Sequence, residues 1–387
     1  MKINFERLKN NVLELAEIGK DPVKGVTRKG FSNEEKEAQN WLKEKLDALG
    51  LSNEFDPVGN LIAYYPGSSE KDIIIGSHLD TVPQGGIYDG ALGVLSGLEV
   101  IATLKENAIK LPYGIRLVSF VAEEGSKAGG TFGSRCVAGQ MSDIDDNILQ
   151  MVNLTNQSIE ESVFDRSKIK CYLELHIEQG GILESEEINV GVVTGIVGIQ
   201  RFVVNVSGKS NHAGTTPMDL RDDALLKATY LIQAFYDQID KRSKEIVGTI
   251  GTLEVSPGAV NVIPGEVEFV IEMRGMDFSL TDEVIENLKT DYLEPEFKFK
   301  EITRKDGVYL NKSIIEIIKH SCEDLDYSYK LMQSGAGHDA NSMAKIIPTG
   351  MIFVPSIGGI SHSYEEYSKW EDIEKAANVL LTTVLKI

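Results

Sequence analysis

The chain has 387 residues, with 39 basic and 59 acidic side chains and a formal charge of −20. That surplus of carboxylates argues against nucleic acid as a partner, because phosphate binding needs a local excess of Lys and Arg and none of the short basic stretches is dense. At ~150 residues per domain the length implies two or three domains, and 42% hydrophobic with 25% charged residues is ordinary globular composition. No apolar run reaches the ~18 residues needed to span a bilayer, and residues 1–6 lack the apolar core of a secretory signal. The expectation is a cytoplasmic protein with no membrane partner. Cys136, Cys171 and Cys322 show no CxxC spacing, so reduced thiols are expected.

In chain order, residues 33–49 read as an amphipathic helix with Trp41, Leu42, Leu46 and Leu49 on one face, ended by Gly50. Residues 72–77 (DIIIGS) form a buried-type strand, 91–104 a helix, 115–122 a second buried strand and 171–177 a third. Strands alternating with helices predict an α/β domain with a mainly parallel sheet, whose ligands lie beyond the carboxyl ends of the strands. From residue 199 the texture changes to strand 199–207, helix 221–239, strands 246–255 and 267–274, helix 281–289 and strand 297–303. This is the strand-helix-strand-strand-helix-strand order of ferredoxin-like units. Helix 313–322, strand 351–354 and helix 373–385 then return to the first pattern, so the middle unit reads as an insertion. The expected domains are 1–198 with 306–387, and 199–305.

The chemistry-bearing residues sit at strand and loop ends. His78 closes DIIIGS, Asp89 lies in the Gly-rich loop GGIYDG before a helix, Glu123 and Glu124 follow strand 115–122, His176 ends YLEL, and His362 follows GGIS. Singly, each has a duller explanation: a strand-end His is more often structural, and Glu123-Glu124 can be an acidic loop on an acidic protein. Together they place imidazole nitrogens and carboxylate oxygens at five separate ends, which suits Zn²⁺ and similar cations, with one Asp able to bridge a pair.

The segments GSHLDTVPQGGIYDGALGVLSGLEVI (76–101), VAEEGS (121–126), LHIEQG (175–180), NHAGTTPM (211–218), NVIPGEV (261–267), SGAGHDA (334–340) and GGISHS (358–363) closely resemble the hydantoinase/carbamoylase family. The match runs in order over nearly the whole chain, and the family lies within the superfamily that holds aminoacylases and co-catalytic metallopeptidases. The resemblance implies an α/β catalytic domain with an inserted ferredoxin-like α+β lid and dimerisation domain. It also implies two divalent ions per subunit (Zn, or Mn, Co or Ni), one held by His78, Asp89 and His176 and the other by Asp89, Glu124 and His362. By the same resemblance Glu123 is the general base, and Asp80 fixes the His78 tautomer. His212 sits near the oxyanion, and Asn261 and Arg274 hold the α-carboxylate. Gln179, Gly337, His338 and Gly359 are weaker candidates around the substrate. A homodimer through the lid is implied, in which His212 and Asn261 reach the neighbour's cleft.

Some of these residues carry bland alternatives. Arg274 ends strand 267–274 and, taken by itself, reads more readily as a surface cation; His338 stands where an N-terminal helix cap is expected; His320 matches no motif; residues 83–86 can simply make a turn. Two departures bear on specificity. Allantoate-specific relatives carry Gln three residues after the Ile of Ile-Val-Gly, whereas Ile196-Val197-Gly198 is followed here by Ile199, which leans towards carbamoyl amino acids. Lys127-Ala128 replaces the frequent Arg-Phe after Glu-Glu-Gly-Ser. The expected activity is hydrolysis of a linear ureido C–N bond in a small molecule, first of an N-carbamoyl-L-amino acid. Allantoate amidohydrolase and β-ureidopropionase come next, then an aminoacylase or peptidase. A non-catalytic metal or amino-acid binder is the rival from another class, and the intact Glu123 argues against it.

Overall fold

The computed structural model describes residues 1–141, 144–293 and 295–387. The chain divides into two compact units, Met1–Gly195 with Tyr309–Ile387, and Ile196–Val308. The strands in chain order are β1 (Ser52–Phe55), β2 (Leu61–Tyr65), β3 (Asp72–His78), β4 (Gly114–Phe120), β5 (Ile169–Ile177), β6 (Val190–Ile196), β7 (Gly198–Ser207), β8 (Ile246–Ser256), β9 (Glu266–Gly275), β10 (Phe297–Lys305), β11 (Val308–Tyr309), β12 (Tyr329–Ser334) and β13 (Thr349–Val354). Among the described residues no helix is long and apolar enough to cross a membrane.

In the first unit the sheet order is β1-β2-β4-β3-β5-β13-β6-β11, with β12 on β6. The central strands β4, β3, β5 and β13 are parallel, and β2 and β6 flank them antiparallel. Buried on nearly every residue, β3, β4, β5 and β13 lack the alternation of a one-faced strand, as a sheet covered on both faces requires. Helix Ala91–Glu106 is buried all round through Leu104, as its apolar sequence demands. From β3 the chain steps to β4 on one side and later to β5 on the other. The order therefore reverses between β3 and β5, and a crevice opens beyond their carboxyl ends. His78 and His176 stand there.

Helix Asn33–Ala48 begins at the Ser32 cap, whose hydroxyl accepts from Glu35 N–H at 3.2 Å. Helix Phe5–Ala16, β1, β2, β6 and β12 were not among the expected elements. β1 is largely exposed and β12 partly so, leaving little hydrophobic pattern to read.

The second unit is one antiparallel sheet in the order β10-β7-β9-β8 with helices Ala224–Asp240 and Phe278–Asp291. Counted within the unit, the strand order is 4-1-3-2, that of a split βαβ. Strict alternation of buried and half-buried residues along β7 follows from one face packing on the helices, around Val204, Leu231, Phe235, Phe269, Ile271 and Leu288.

Candidate active site

His78, the last residue of β3, has Nδ1 3.0 Å from the Asp80 carbonyl oxygen and 3.4 Å from Asp80 Oδ1. Since a carbonyl only accepts, Nδ1 carries the hydrogen and the Nε2 lone pair faces the crevice. His176 repeats the device on β5: its Nδ1 is 2.9 Å from Ile177 O, and its Nε2 is 3.0 Å from Asp89 Oδ1. Asp89 lies on the loop into helix Ala91–Glu106, with Oδ1 also 3.6 Å from His78 Nε2 and Oδ2 3.6 Å from His362 Nε2. Between Asp89 and the helix, Gly90 has φ +61°, and a Cβ there would lie 2.3 Å from the His78 ring, so only glycine lets the loop come this close.

Glu124 Oε2 is 3.4 Å from His362 Nε2, and its Oε1 is buried with no hydrogen-bond partner. Glu123 Oε2 is 3.6 Å from His78 Nε2. Among the described residues, the potential donor atoms thus include two groups that share Asp89, one with His78 and His176, the other with Glu124 and His362, each within 4.8 Å. A third group, Glu174, His176 and His338, is already spent on the protein. Glu174 accepts from Ser77 Oγ (3.0 Å), Tyr172 OH (3.1 Å) and Ala340 N–H (2.9 Å), while His338 Nε2 is 2.8 Å from Ser334 Oγ.

The electrostatics of the two Asp89 groups are those of a site built for positive charge. Burial works against charge on His78, yet Glu123 and Asp80 outweigh it and hold the imidazole well above its ordinary pKa. Burial would raise Asp89, but His176, His78 and His362 keep it well below the usual carboxylate range. Burial pushes Glu124 up to about 8, with Asp89 adding to the shift, and pushes Glu123 far up, with Asp339 and Glu124 adding and His78 opposing. Converging lone pairs, a shared carboxylate and one orphaned buried carboxylate oxygen fit divalent cations with borderline N/O preference.

The segment after β4 is held by buried carboxylates. Asp80 Oδ1 and Oδ2 accept from Glu123 N–H and Glu124 N–H at 3.0 Å each, so this residue orients the two glutamates as well as His78. Glu35 accepts from Ala122 N–H at 2.8 Å and from Phe31 N–H, fixing Ala122 at φ +53°. Arg28, fully buried, donates to Leu79 O at 2.9 Å, and burial lowers it to about 10. Neither Glu35 nor Arg28 stands out in the sequence. Glu35 follows Ser32 at capping-box spacing, which hides its long-range use.

Gln179 has φ +58° and donates from Nε2 to Asp89 Oδ2 at 2.7 Å, and its Oε1 is buried without a partner. His338 is the N-cap of helix Asp339–Met343 and packs edge-on against His176, ring centroids 4.5 Å apart. Gly337 is exposed just before it. Gly359 has φ +64°, and a Cβ there would lie 2.9 Å from Gly181 N. His320 is 62% exposed on helix Lys312–Asp324.

The remaining three residues belong to the second unit. His212 is exposed, and its Nδ1 accepts from Gly214 N–H (3.0 Å) and Thr215 N–H (3.2 Å), which puts the neutral ring's hydrogen on Nε2. The His212 segment bridges to Val262, and Ala213 N–H donates to Asn261 O at 2.9 Å, so His212 and Asn261 lie side by side. Arg274 on β9 donates through Nε to Glu272 Oε1 at 2.8 Å and is the direct cross-strand partner of Ile199. Directly paired residues share a sheet face, so the Arg and the Ile stand together.

A crevice at the point where strand order reverses, with two clustered donor groups sharing a carboxylate and a buried glutamate beside them, defines the class of metal-dependent hydrolases. The sequence profile of peptidase family M20/M25/M40 matches residues 74–386, and the chain belongs to this family. Within it, the chain is 35% identical to an N-carbamoyl-L-amino acid amidohydrolase of Geobacillus stearothermophilus over 100% of this chain and 99% of that one. It is 33% identical to the allantoate amidohydrolase of Escherichia coli (strain K12), covering 95% and 94%. The fold matches a crystal structure of an amidase of the hydantoinase/carbamoylase family from Burkholderia multivorans with TM-score 0.90, 31% identity and coverage of 100% and 98%. The protein is an amidohydrolase acting on non-peptide C–N bonds.

Proposed function

We propose that the protein hydrolyses an N-carbamoyl-L-amino acid, consuming one water and releasing the amino acid, CO₂ and NH₃. The observation that carries the reading is the pair of donor groups sharing Asp89, with Glu123 beside them and a member of neither. His78, Asp89 and His176 would hold one divalent ion, and Asp89, Glu124 and His362 a second. Such ions, when bound, polarise a carbonyl and lower the pKa of water. Glu123 takes the proton from the attacking water on its carboxylate and later hands it to the leaving nitrogen, a role for which a buried carboxyl with raised proton affinity is suited. Asp80 keeps both the His78 lone pair and the Glu123 backbone aimed. Gln179 and Asp89 are tied together, and the unpartnered Gln179 Oε1 is an acceptor for a ureido N–H. The Gly337-His338 loop and Gly359 line the substrate in this reading.

On the substrate side, His212 donates from Nε2 to the developing oxyanion, and Asn261 and Arg274 bind the α-carboxylate. Ile199 opposite Arg274 offers an apolar surface, which favours an amino-acid side chain over a second polar ureido arm. The test is an ammonia-release panel of carbamoyl-L-amino acids, carbamoyl-β-alanine and allantoate on protein of defined metal content. Turnover of allantoate alone would overturn the proposed substrate while keeping the class.

Arg274→Lys is expected to reduce kcat/KM for a carbamoyl amino acid about tenfold or more, while the corresponding amide is nearly unaffected, because charge is kept and only the bidentate fork is lost. Equal losses on acid and amide would assign Arg274 a structural role. The chain is further proposed to form a homodimer through the inserted unit, the lid, with His212 acting in trans. Co-refolding inactive His212→Ala and Glu123→Gln variants at equal ratio should then restore about a quarter of wild-type activity, since half the dimers are mixed and each has one competent site of two. Proven heterodimers without activity would place His212 in cis.

A further inference from the structure

Glu366 lies outside both donor groups, four residues beyond His362, in a turn closed by Glu366 N–H to Ser363 O at 3.0 Å. Its side chain is 5% exposed and points inward. Oε1 accepts from Tyr88 N–H and Asp89 N–H at 3.1 Å each, and Oε2 is 3.3 Å from Ser361 Oγ, itself 3.1 Å from Asp89 Oδ2. A Cβ on Gly86 would lie 2.1 Å from Glu366 Oε1, so the loop leading to Asp89 is shaped around this carboxylate. One buried side chain therefore joins two segments far apart in the chain, each of which carries a member of the Asp89, Glu124 and His362 group.

That group has the greater need of outside support. The His362 side chain is 53% exposed, against 2% for His78 and 1% for His176, so packing does little to hold its ring. The two oxygens of Asp89 divide the work: Oδ1 faces His78 and His176, while Oδ2 faces His362, Gln179 and Ser361. Glu366 reaches the second half through Ser361 and the backbone of Asp89.

We propose that Glu366 is a positioning residue that sets the spacing of Asp89 and His362, and with it the affinity of the second cation but not of the first. This rests on the two-cation reading given above. Metal-free protein is titrated with Zn²⁺ against a chromophoric chelator of known affinity, and the step lost in His362→Ala identifies the second site. Glu366→Ala, and Glu366→Asp with its carboxylate drawn back by one methylene, should weaken that step by roughly 10–100-fold and the other by less than about threefold, the scale for residues that orient ligands. Glu366→Gln keeps an acceptor for both N–H groups and should bind both ions within about threefold of wild type. If Glu366→Ala does not fold by circular dichroism, the Asp and Gln pair carries the comparison. Equal weakening of both steps, a Gln variant as poor as Asp, or no change in any variant overturns the proposal. A wild type that binds fewer than two ions overturns the two-cation reading itself, and the proposal with it.

Discussion

Glu123→Gln should lower kcat by about 10²–10⁴, equivalent to roughly 3–5 kcal/mol of barrier, while metal content stays at the wild-type value. The change is isosteric and removes only the ability to take and return a proton. Glu123 belongs to neither donor group that shares Asp89, and its Oε2 stands 3.6 Å from His78 Nε2. Its backbone is fixed independently of its side chain, by Asp80 accepting from its N–H. The variant should therefore fold and load normally, as elemental analysis after dialysis would show, and fail only in ammonia release. Activity equal to wild type would remove Glu123 from the mechanism; loss of metal in parallel with activity would make it a ligand.

Asp89→Ala is expected to abolish turnover by a different route. One carboxylate stands between three imidazoles, with Oδ1 3.0 Å from His176 Nε2 and Oδ2 3.6 Å from His362 Nε2. Without it, His78 and His176 lose the charge that makes their lone pairs a site, and His362 with Glu124 loses its third donor. Affinity for both ions should fall by more than the ~10–100-fold seen for residues that merely orient ligands. Asp89→Asn, which keeps the hydrogen bond from Gln179 and discards the charge, should bind between wild type and the alanine variant. Two ions retained in Asp89→Ala would sink the shared-carboxylate reading.

The structure brings together His78, Asp89 and His176, and Asp89, Glu124 and His362. In the sequence His78, His176 and the Glu123-Glu124 pair stand out because they interrupt or end apolar runs, where an ionisable group costs free energy unless a partner compensates it. Asp89 and His362 stand out because they lie in Gly-rich loops within the family-resembling segments. The alternation of β7 and β9 made the inserted βαββαβ unit readable in the same way. Its limits, Ile196–Val308, differ from the expected 199–305 because β6 and β7 follow each other with a single residue between them, and no break in hydrophobic pattern marks the junction.

Sequence alone thus marked the candidate residues, because residue type and strand- or loop-end position are local properties, and the segments that carry the family resemblance lie at those ends. Tertiary structure alone decided how they are held. The Asp80 carboxylate serves the backbone of Glu123 and Glu124, Glu35 leaves its own helix cap to hold Ala122, and Glu366 ties Asp89 to the His362 turn. Apart from the local Ser361–Glu366 contact, these bonds run from side-chain carboxylates to backbone N–H groups distant in the chain. A backbone N–H has no signature in the sequence, so its partner emerges only when folding brings the two segments together.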